Sequence, residues 1–449
     1  MVKKAIKLDI DSRIIKIVQQ LQEAGFETYI VGGAVRDSLL GRKAKDYDVS
    51  TAATPEQVRG VFGRKAARII GRRFRLVHLR CGKEIVEIST FRKKPSAKNK
   101  GDKRVEKILA QKKNVKLDNL ILRDNEFGSS NEDAWRRDFS INAMFYDPVA
   151  EELIDYVGCG MQDIENKVIR MIGDPKVRFE EDPVRLLRAL KFAGQCGFTI
   201  DEQTEEALKD NLQLITHAAP SRLTLELEKI LSNSYSHEIL KTFHKYGLLH
   251  YFLPFFESNF DGVAGQYALK LLTERNRRVN DGYYRNSVSL AVACLMLPFV
   301  EDELGNGEPG TLWRNFEAIE PMMKRMLKKA FVPHCLIKRV IGSALRTLQY
   351  QPKIRFDKIS NNMRFVKSYA HARELAIIQD NVLELGKDFE NTLPRAKRRN
   401  NRRKQSGKKG GREKIKDKHH KKDSAKHKKK IKHKDKKNND NQDVLKLGF

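Results

Sequence analysis

A chain of 449 residues, 40% of them apolar, is too long for a single ordinary core and predicts two or three domains. Its formal net charge of +30 is unlike that of an average globular protein and points to a polyanionic partner, nucleic acid before an anionic membrane, with a surface tuned for solubility as the plainer account. Five scattered cysteines (Cys81, Cys159, Cys196, Cys294, Cys335), none in a C-x-x-C pair, exclude a disulfide framework and a zinc ribbon.

The N-terminal stretch MVKKAIKLDIDSRIIKIVQQL reads as a charged start followed by an amphipathic helix, without the apolar core of a signal peptide. No segment reaches the roughly 18 apolar residues that span a bilayer, so a cytoplasmic protein with no membrane partner is the expectation. Up to about residue 150, β-rich runs (ETYIVGG, YDVST, RFRLVHLR, KEIVEISTF) alternate with short helical ones (AVRDSLLG, TPEQVRGVF). Thr54 and Pro55 read as N-cap and first helical residue. A lysine-rich insertion, 93–116, reads as a mobile basic loop. After about residue 180 the pattern turns helical, as in PVRLLRALKFAGQCG and SRLTLELEKILSN. From Arg395 onward 24 Lys and Arg face 6 Asp and Glu, with almost no apolar residues, which predicts a disordered tail. The expected organisation is an α/β head (1–150), a helical neck (151–250), a helical body (251–394) and a basic tail (395–449).

Within TYIVGGAVRDSLLGRKAKDYDVST, Asp46 and Asp48 are spaced i, i+2, so on a strand they share one face and present two carboxylates to a metal pair. An exposed turn with mixed charges is the plainer account. Gly32 and Gly33 allow close approach of backbone to a phosphate, and Arg36 adds a charge-assisted contact one helical turn on. A third carboxylate is expected on an adjacent strand, and Glu87 in KEIVEISTFR is the candidate, or else a solvent-facing strand residue.

Four blocks in this order, VGGAVRDSLLGRKAKDYDVSTAATPEQV, EISTFR, RRDFSINAMFYD and EDPVRLLRALKFA, resemble the class II nucleotidyltransferases that act on RNA 3′ ends, the family of bacterial poly(A) polymerases and tRNA CCA-adding enzymes. The resemblance covers about residues 20–250 strongly and the helical region to about 390 weakly. It implies a palm-like head domain followed by helical neck and body domains. It implies that Asp46 and Asp48 hold two Mg²⁺ ions, with Mn²⁺ as an alternative, and that Glu87 completes the site. Gly32, Gly33 and Arg36 would take the triphosphate of ATP, and Arg137 and Asp138 would handle the nucleotide, Asp138 with a catalytic role. If RRDFSIN is helical, Asn142 shares a face with Asp138, and the pair can read a ribose 2′-hydroxyl; an N-capped helix with a basic flank is the alternative. Asp182 before Pro183 reads as an N-cap, while the family's matching Asp and Arg, here Asp182 and Arg185, recognise the base edge with Arg188 beside them.

The blocks IIGRRFRLVHL and LILRDNEFGSSNEDAWRRDF, with the basic tail, look like poly(A) polymerases rather than CCA-adding relatives. The reading is template-independent transfer of AMP to the 3′ ends of mRNA and other RNAs, tRNA included, with the tail (Lys397, Arg398, Arg399, Arg402, Arg403 and their neighbours) as a sequence-blind RNA tether. The alternatives are a CCA-adding enzyme and a non-catalytic RNA-binding protein on the same fold.

Overall fold

Eight strands build one mixed sheet: β1 (Val2–Ala5), β2 (Thr28–Val31), β3 (Asp48–Thr51), β4 (Ala67–Ile70), β5 (Leu76–Cys81), β6 (Glu84–Thr90), β7 (Met144–Asp147) and β8 (Glu152–Asp155). Their order is β1-β8-β7-β2-β3-β6-β5-β4, and every neighbouring pair is antiparallel except β3 and β6. The computed structural model describes residues 1–44, 46–71, 75–82, 84–94, 126–304, 321, 325, 338–355 and 367–395. The tail from 396 on, with Lys397, Arg398, Arg399, Arg402 and Arg403, and most of the 93–116 insertion lie outside the described residues.

Strand periodicity explains the sheet's two covered faces. Along β2, Ile30 enters the main core, while Tyr29 and Val31 point the other way into a smaller cluster with Phe91 and Phe145. Helix α1 (Ser12–Glu23) covers the main face with Ile14, Ile17, Val18 and Leu21, the i, i+3, i+4, i+7 stripe of an amphipathic helix. Helix α2 (Gly33–Leu39) follows β2 directly, and α3 (Pro55–Phe62) opens with the expected proline. Thr54 and Gln57 close a reciprocal capping box there.

Two expectations need correcting. The charged start is an edge strand: Val2–Ala5 pairs with β8 although all four side chains are exposed, and Lys3 reaches Glu152 at 2.6 Å. Backbone pairing alone makes this strand, so no apolar alternation marks it. The chain beyond residue 150 is not wholly helical either. It adds β8 to the sheet, then a two-residue parallel pair, β9 (Val168–Ile169) with β10 (Thr199–Ile200), too short to show a period.

The rest is helical, as expected. Helices Pro175–Glu181, Val184–Cys196, Glu202–Asn211, Pro220–Leu231 and Ser236–Lys245 follow the sheet; Val263–Asn280, Val288–Leu304, Lys338–Gln349 and Lys367–Leu383 come after them. Gly194 lets helix Val184–Cys196 cross Ser236–Lys245 closely, since a Cβ there would lie 2.7 Å from the Ile239 Cα. The buried pair Arg278–Glu374 (2.6 Å) ties the later helices together. Among the described residues no helix is long and apolar enough to cross a membrane.

Candidate active site

A cleft of about 770 Å³ opens between the sheet and helices Val184–Cys196 and Pro220–Leu231. Asp48, the first residue of β3, stands at its floor, opposite Val31 of β2 on one side and Glu87 of β6 on the other. The chain leaves β2 through Gly32, whose φ of 73° and ψ of −134° are open to glycine alone. A Cβ at Gly32 would lie 3.5 Å from Arg137 Nη1 and 3.8 Å from Asp48 Oδ2. Bare backbone, a guanidinium and a carboxylate therefore converge at one point.

Asp46 lines the cleft but precedes the strand. The predicted i, i+2 strand pair does not form, because both ladders of β3 begin at Asp48, where β2 gives way to the Gly32 turn. The two carboxylates still sense each other. Asp48, although open to solvent at the cleft floor, is raised from its ordinary value by crowding that strips part of its hydration first, then by the charges of Glu87 and Asp46, against the opposing pull of Arg137 and Lys229. No hydrogen bond or ion pair from a described residue reaches the Asp46 or Asp48 carboxylate. Uncompensated like charges of this kind fit a cation. Among the described residues no three His, Cys, Asp or Glu side chains form a metal-ligand set. Two carboxylates that leave positions for water and substrate phosphates suit Mg²⁺, which seldom takes an all-protein cage. Glu87 sits on the exposed face of β6, 3.3 Å from His78 Nε2, beside the cleft rather than among its lining residues.

The wall above the carboxylates is rich in arginine. Arg92, Arg136, Arg137, Arg185, Arg188 and Arg222 all line it. Burial, then the charges of Arg92, Arg137, Arg178 and Arg185, push Arg136 down to about 9. A crowded cationic wall of this sort is relieved by a polyanion. Two acids hold it in shape: Asp133 takes Arg137 (3.0 Å), and Glu181 takes Arg178 (2.8 Å), Arg185 (3.1 Å) and Lys94 (2.6 Å). Arg36 also lines the cleft, with its nitrogens engaged: Nε and Nη2 donate to Asp37 and Nη1 donates to Asn142 Oδ1 at 2.8 Å. Among the described residues, Asn142 Nδ2 is buried without a hydrogen-bond partner.

The segment RRDFSIN is not a helix. Phe139 is extended and bridges Met171, and Ser140–Asn142 is a single 3₁₀ turn, so Asp138 and Asn142 are not i, i+4 neighbours on a helix face. Both nevertheless line the cleft. Burial alone would raise the Asp138 carboxyl; the Arg188 charge and hydrogen bond, with the Phe139 N–H, outweigh it and hold the group down to about 2. Arg188 in turn lies 3.8 Å from Glu226, which also accepts from the buried Lys191 at 2.7 Å. Burial lowers Lys191 to about 8 despite that partner.

Asp182 does two things. Its Oδ1 accepts from the Val184 N–H at 3.2 Å, close to the predicted capping, and its two oxygens take the Arg222 fork at 2.7 and 2.8 Å. Arg185 lines the same cleft but pairs with Glu181 instead of Asp182. Sequence reasoning passed over Arg92, Arg136, Arg222, Lys229, Glu181 and Glu226. All six sat inside quoted stretches: Arg92 in EISTFR, Arg136 in RRDFSINAMFYD, Glu181 in EDPVRLLRALKFA, and Arg222, Glu226 and Lys229 in SRLTLELEKILSN. Glu181 and Arg185 form a local i, i+4 pair, while Arg222 and Glu226 meet Asp182 and Lys191 only through folding.

The family model described as the poly(A) polymerase head domain matches residues 28–170, and one described as the probable RNA and SrmB-binding site of polymerase A matches 197–260. Poly(A) polymerase I of Escherichia coli O6:H1 is 39% identical over 297 residues, 65% of this chain and 62% of that protein. A CCA-adding enzyme of Geobacillus sp. is 34% identical over 268 residues, 59% of this chain and 61% of its own length. The chain thus spans less than two thirds of these relatives. The solved CCA-adding enzyme of Bacillus stearothermophilus in complex with CTP shares the fold, with a TM-score of 0.53 at 23% identity over 84% of this chain and 79% of that one. The chain belongs to the family of RNA nucleotidyltransferases that includes bacterial poly(A) polymerases and CCA-adding enzymes.

Proposed function

We propose that this protein is a cytoplasmic poly(A) polymerase that transfers AMP from ATP to RNA 3′ ends without a template, in RNA polyadenylation and decay. The observation that carries this reading is the cleft itself: an unpaired Asp46–Asp48 floor beneath an arginine wall, in a chain closer in identity to relatives named poly(A) polymerase than to those named CCA-adding enzyme. In the reaction the RNA 3′-oxygen bonds to the α-phosphorus of ATP, the bond from that phosphorus to the bridging oxygen breaks, and pyrophosphate leaves with the electron pair. The hydroxyl proton passes to solvent.

Asp46 and Asp48 would hold two divalent cations, Mg²⁺ or Mn²⁺, which when bound activate the attacking hydroxyl and steady the leaving pyrophosphate. Gly32 lets the backbone approach the triphosphate, and Arg137 and Arg185 supply charge to it. Asp138, kept ionised by Arg188, accepts a hydrogen bond from the nucleotide or its sugar. Asp182, oriented by Arg222, accepts from the base edge. The basic tail tethers RNA by phosphate contacts without reading sequence.

The second reading is CCA addition, favoured by the 34%-identical relative of that name. Purified protein with Mg²⁺, a generic RNA oligonucleotide and a tRNA lacking CCA, each given ATP, CTP or both, separates the two. Long heterogeneous tails on both RNAs from ATP alone support the polymerase. A CTP-dependent addition confined to the tRNA and stopping after a fixed length overturns it.

A further inference from the structure

We propose, resting on the transferase reading of this cleft, that Tyr235 is the platform on which the 3′-terminal base of the acceptor RNA stacks, with Arg42 and Gln195 completing the subsite. A transferase must hold two nucleotides, the incoming one and the acceptor. The arginine wall and Asp182 serve the first. Further along the two helices that carry Arg185 and Arg222, the lining includes Gln195 and Lys229, and with them Arg42, Lys43, Asn233 and Tyr235.

Tyr235 is an aromatic ring, 38% exposed, in a cleft otherwise lined mainly by charged and polar groups. It belongs to none of the hydrophobic clusters, and no described residue is hydrogen-bonded to its hydroxyl. Packing therefore does not account for its place. The backbone does: Asn233 Oδ1 accepts from the Tyr235 N–H at 2.9 Å, a turn that sets the ring at the head of helix Ser236–Lys245. The Arg42 guanidinium stands 5.2 Å from the ring centroid. It is fixed there because its Nη1 donates to the Gln195 carbonyl oxygen at 3.2 Å. Gln195 Oε1 accepts from Asn233 Nδ2 at 3.0 Å, which orients the amide and leaves its Nε2 hydrogens for a ligand acceptor. A ring, a fixed cation and an oriented amide donor are what a base, its phosphate and its polar edge require, and stacking on a ring tolerates any base.

The surroundings connect this subsite to both carboxylates. Arg42 precedes Asp46 by one short segment of chain, and Lys229, one turn before Asn233, acts electrostatically on Asp48. The subsite requires the 3′-hydroxyl of a nucleotide on Tyr235 to point toward Asp46 and Asp48, which line the same cleft.

The test measures binding of a short RNA by fluorescence anisotropy, without ATP, and then the KM for RNA and for ATP. Two RNAs are used, one intact and one abasic at its 3′-terminal position. Wild type should lose roughly 5- to 100-fold in affinity on the abasic RNA. Tyr235→Ala should lose a similar factor on intact RNA, raise the RNA KM but not the ATP KM, and no longer tell the two RNAs apart; Tyr235→Phe, which keeps the ring, should restore the difference. Equal wild-type affinity for both RNAs, or a Tyr235→Ala variant that still discriminates, overturns the subsite even if transfer is normal. Base-dependent binding through Tyr235 in a protein that transfers no nucleotide to any RNA would uphold the subsite and overturn the transferase reading.

Discussion

Arg188 Nε stands 2.5 Å from Asp138 Oδ2, across 50 residues of sequence, and this ion pair joins helix Val184–Cys196 to the extended strand-like segment that ends the arginine wall. The pair holds two jobs together: it ties that helix to the segment around Asp138 and keeps a cleft carboxylate ionised.

Removing the arginine should therefore cost stability. Arg188→Ala leaves Asp138 buried without its partner, and because Arg188 is 30% exposed the expected loss is about 3 kcal/mol, the low end for a broken buried pair. The sign with pH follows from the depressed carboxyl. Asp138 contributes stability above its ordinary value of 3.8, and that contribution fades as pH falls through about 2. Urea unfolding should show the gap between variant and wild type wide at pH 7 and narrowing toward pH 2. A gap that stays constant would mean the loss is one of packing.

Asp48 behaves in the opposite sense. Its carboxyl is raised, so its charge is a cost to the metal-free fold above the folded-state value, a cost that vanishes as pH drops below the unfolded value. Asp48→Asn should leave the thermal midpoint at pH 7 unchanged or higher. Mg²⁺ should raise the midpoint of wild type and not of Asp46→Asn/Asp48→Asn, while AMP transfer falls roughly 1000-fold or more. An intact Mg²⁺ shift in the double variant would remove these residues from the metal site.

The two adjacent glycines should separate cleanly. Gly32→Ala forces a side chain into a glycine-only backbone conformation, at about 1–3 kcal/mol. Gly33 lies in α2 with ordinary backbone, and a Cβ there meets only Arg36 Nη2 at 3.6 Å, so Gly33→Ala should stay within about 0.5 kcal/mol. Thermal melts of both variants decide it.

What was legible in the sequence was what neighbours dictate. The helix after Gly32 (AVRDSLLG), the Thr54–Pro55 helix start and the strands at 28–31 and 84–90 are encoded within a few residues of themselves, and the structure has each of them. Asp48 and Glu87 do face each other across a ladder, because both strands carry their own period. Edge strand β1 was not legible, since its side chains are all exposed and only its backbone is paired. The i, i+4 reasoning on Asp138 and Asn142 failed because Phe139 is drawn into an extended bridge by Met171, a partner far along the chain. Arg222 with Asp182 and Lys191 with Glu226 are 40 and 35 residues apart, and no local pattern records such pairings.

The basic tail makes a separate, electrostatic prediction. Deleting 395–449 removes a net charge of +18, so RNA affinity should drop and the slope of log affinity against log salt should flatten. Addition of a single nucleotide at saturating RNA should persist. An unchanged salt slope would exclude the tail as the tether.

Arg222 offers the sharpest test of how the base is read. It is 53% exposed, and exposed ion pairs contribute little to stability, so Arg222→Ala should cost no more than about 1 kcal/mol. Yet both its terminal nitrogens grip Asp182, at 2.7 and 2.8 Å, and so fix the plane of that carboxylate and the direction of its remaining lone pairs. Freed of the fork, Asp182 keeps only the Val184 N–H as an anchor and can rotate. Steady-state kinetics with each of the four ribonucleoside triphosphates should then show kcat/KM for ATP falling by roughly 10-fold or more while the poorer substrates change little, so that discrimination shrinks. Arg222→Lys keeps the charge without the planar fork and should recover little of the selectivity. If Arg222→Ala lowers kcat/KM equally for all four nucleotides, the fork serves only general charge, and base selection lies elsewhere in the cleft.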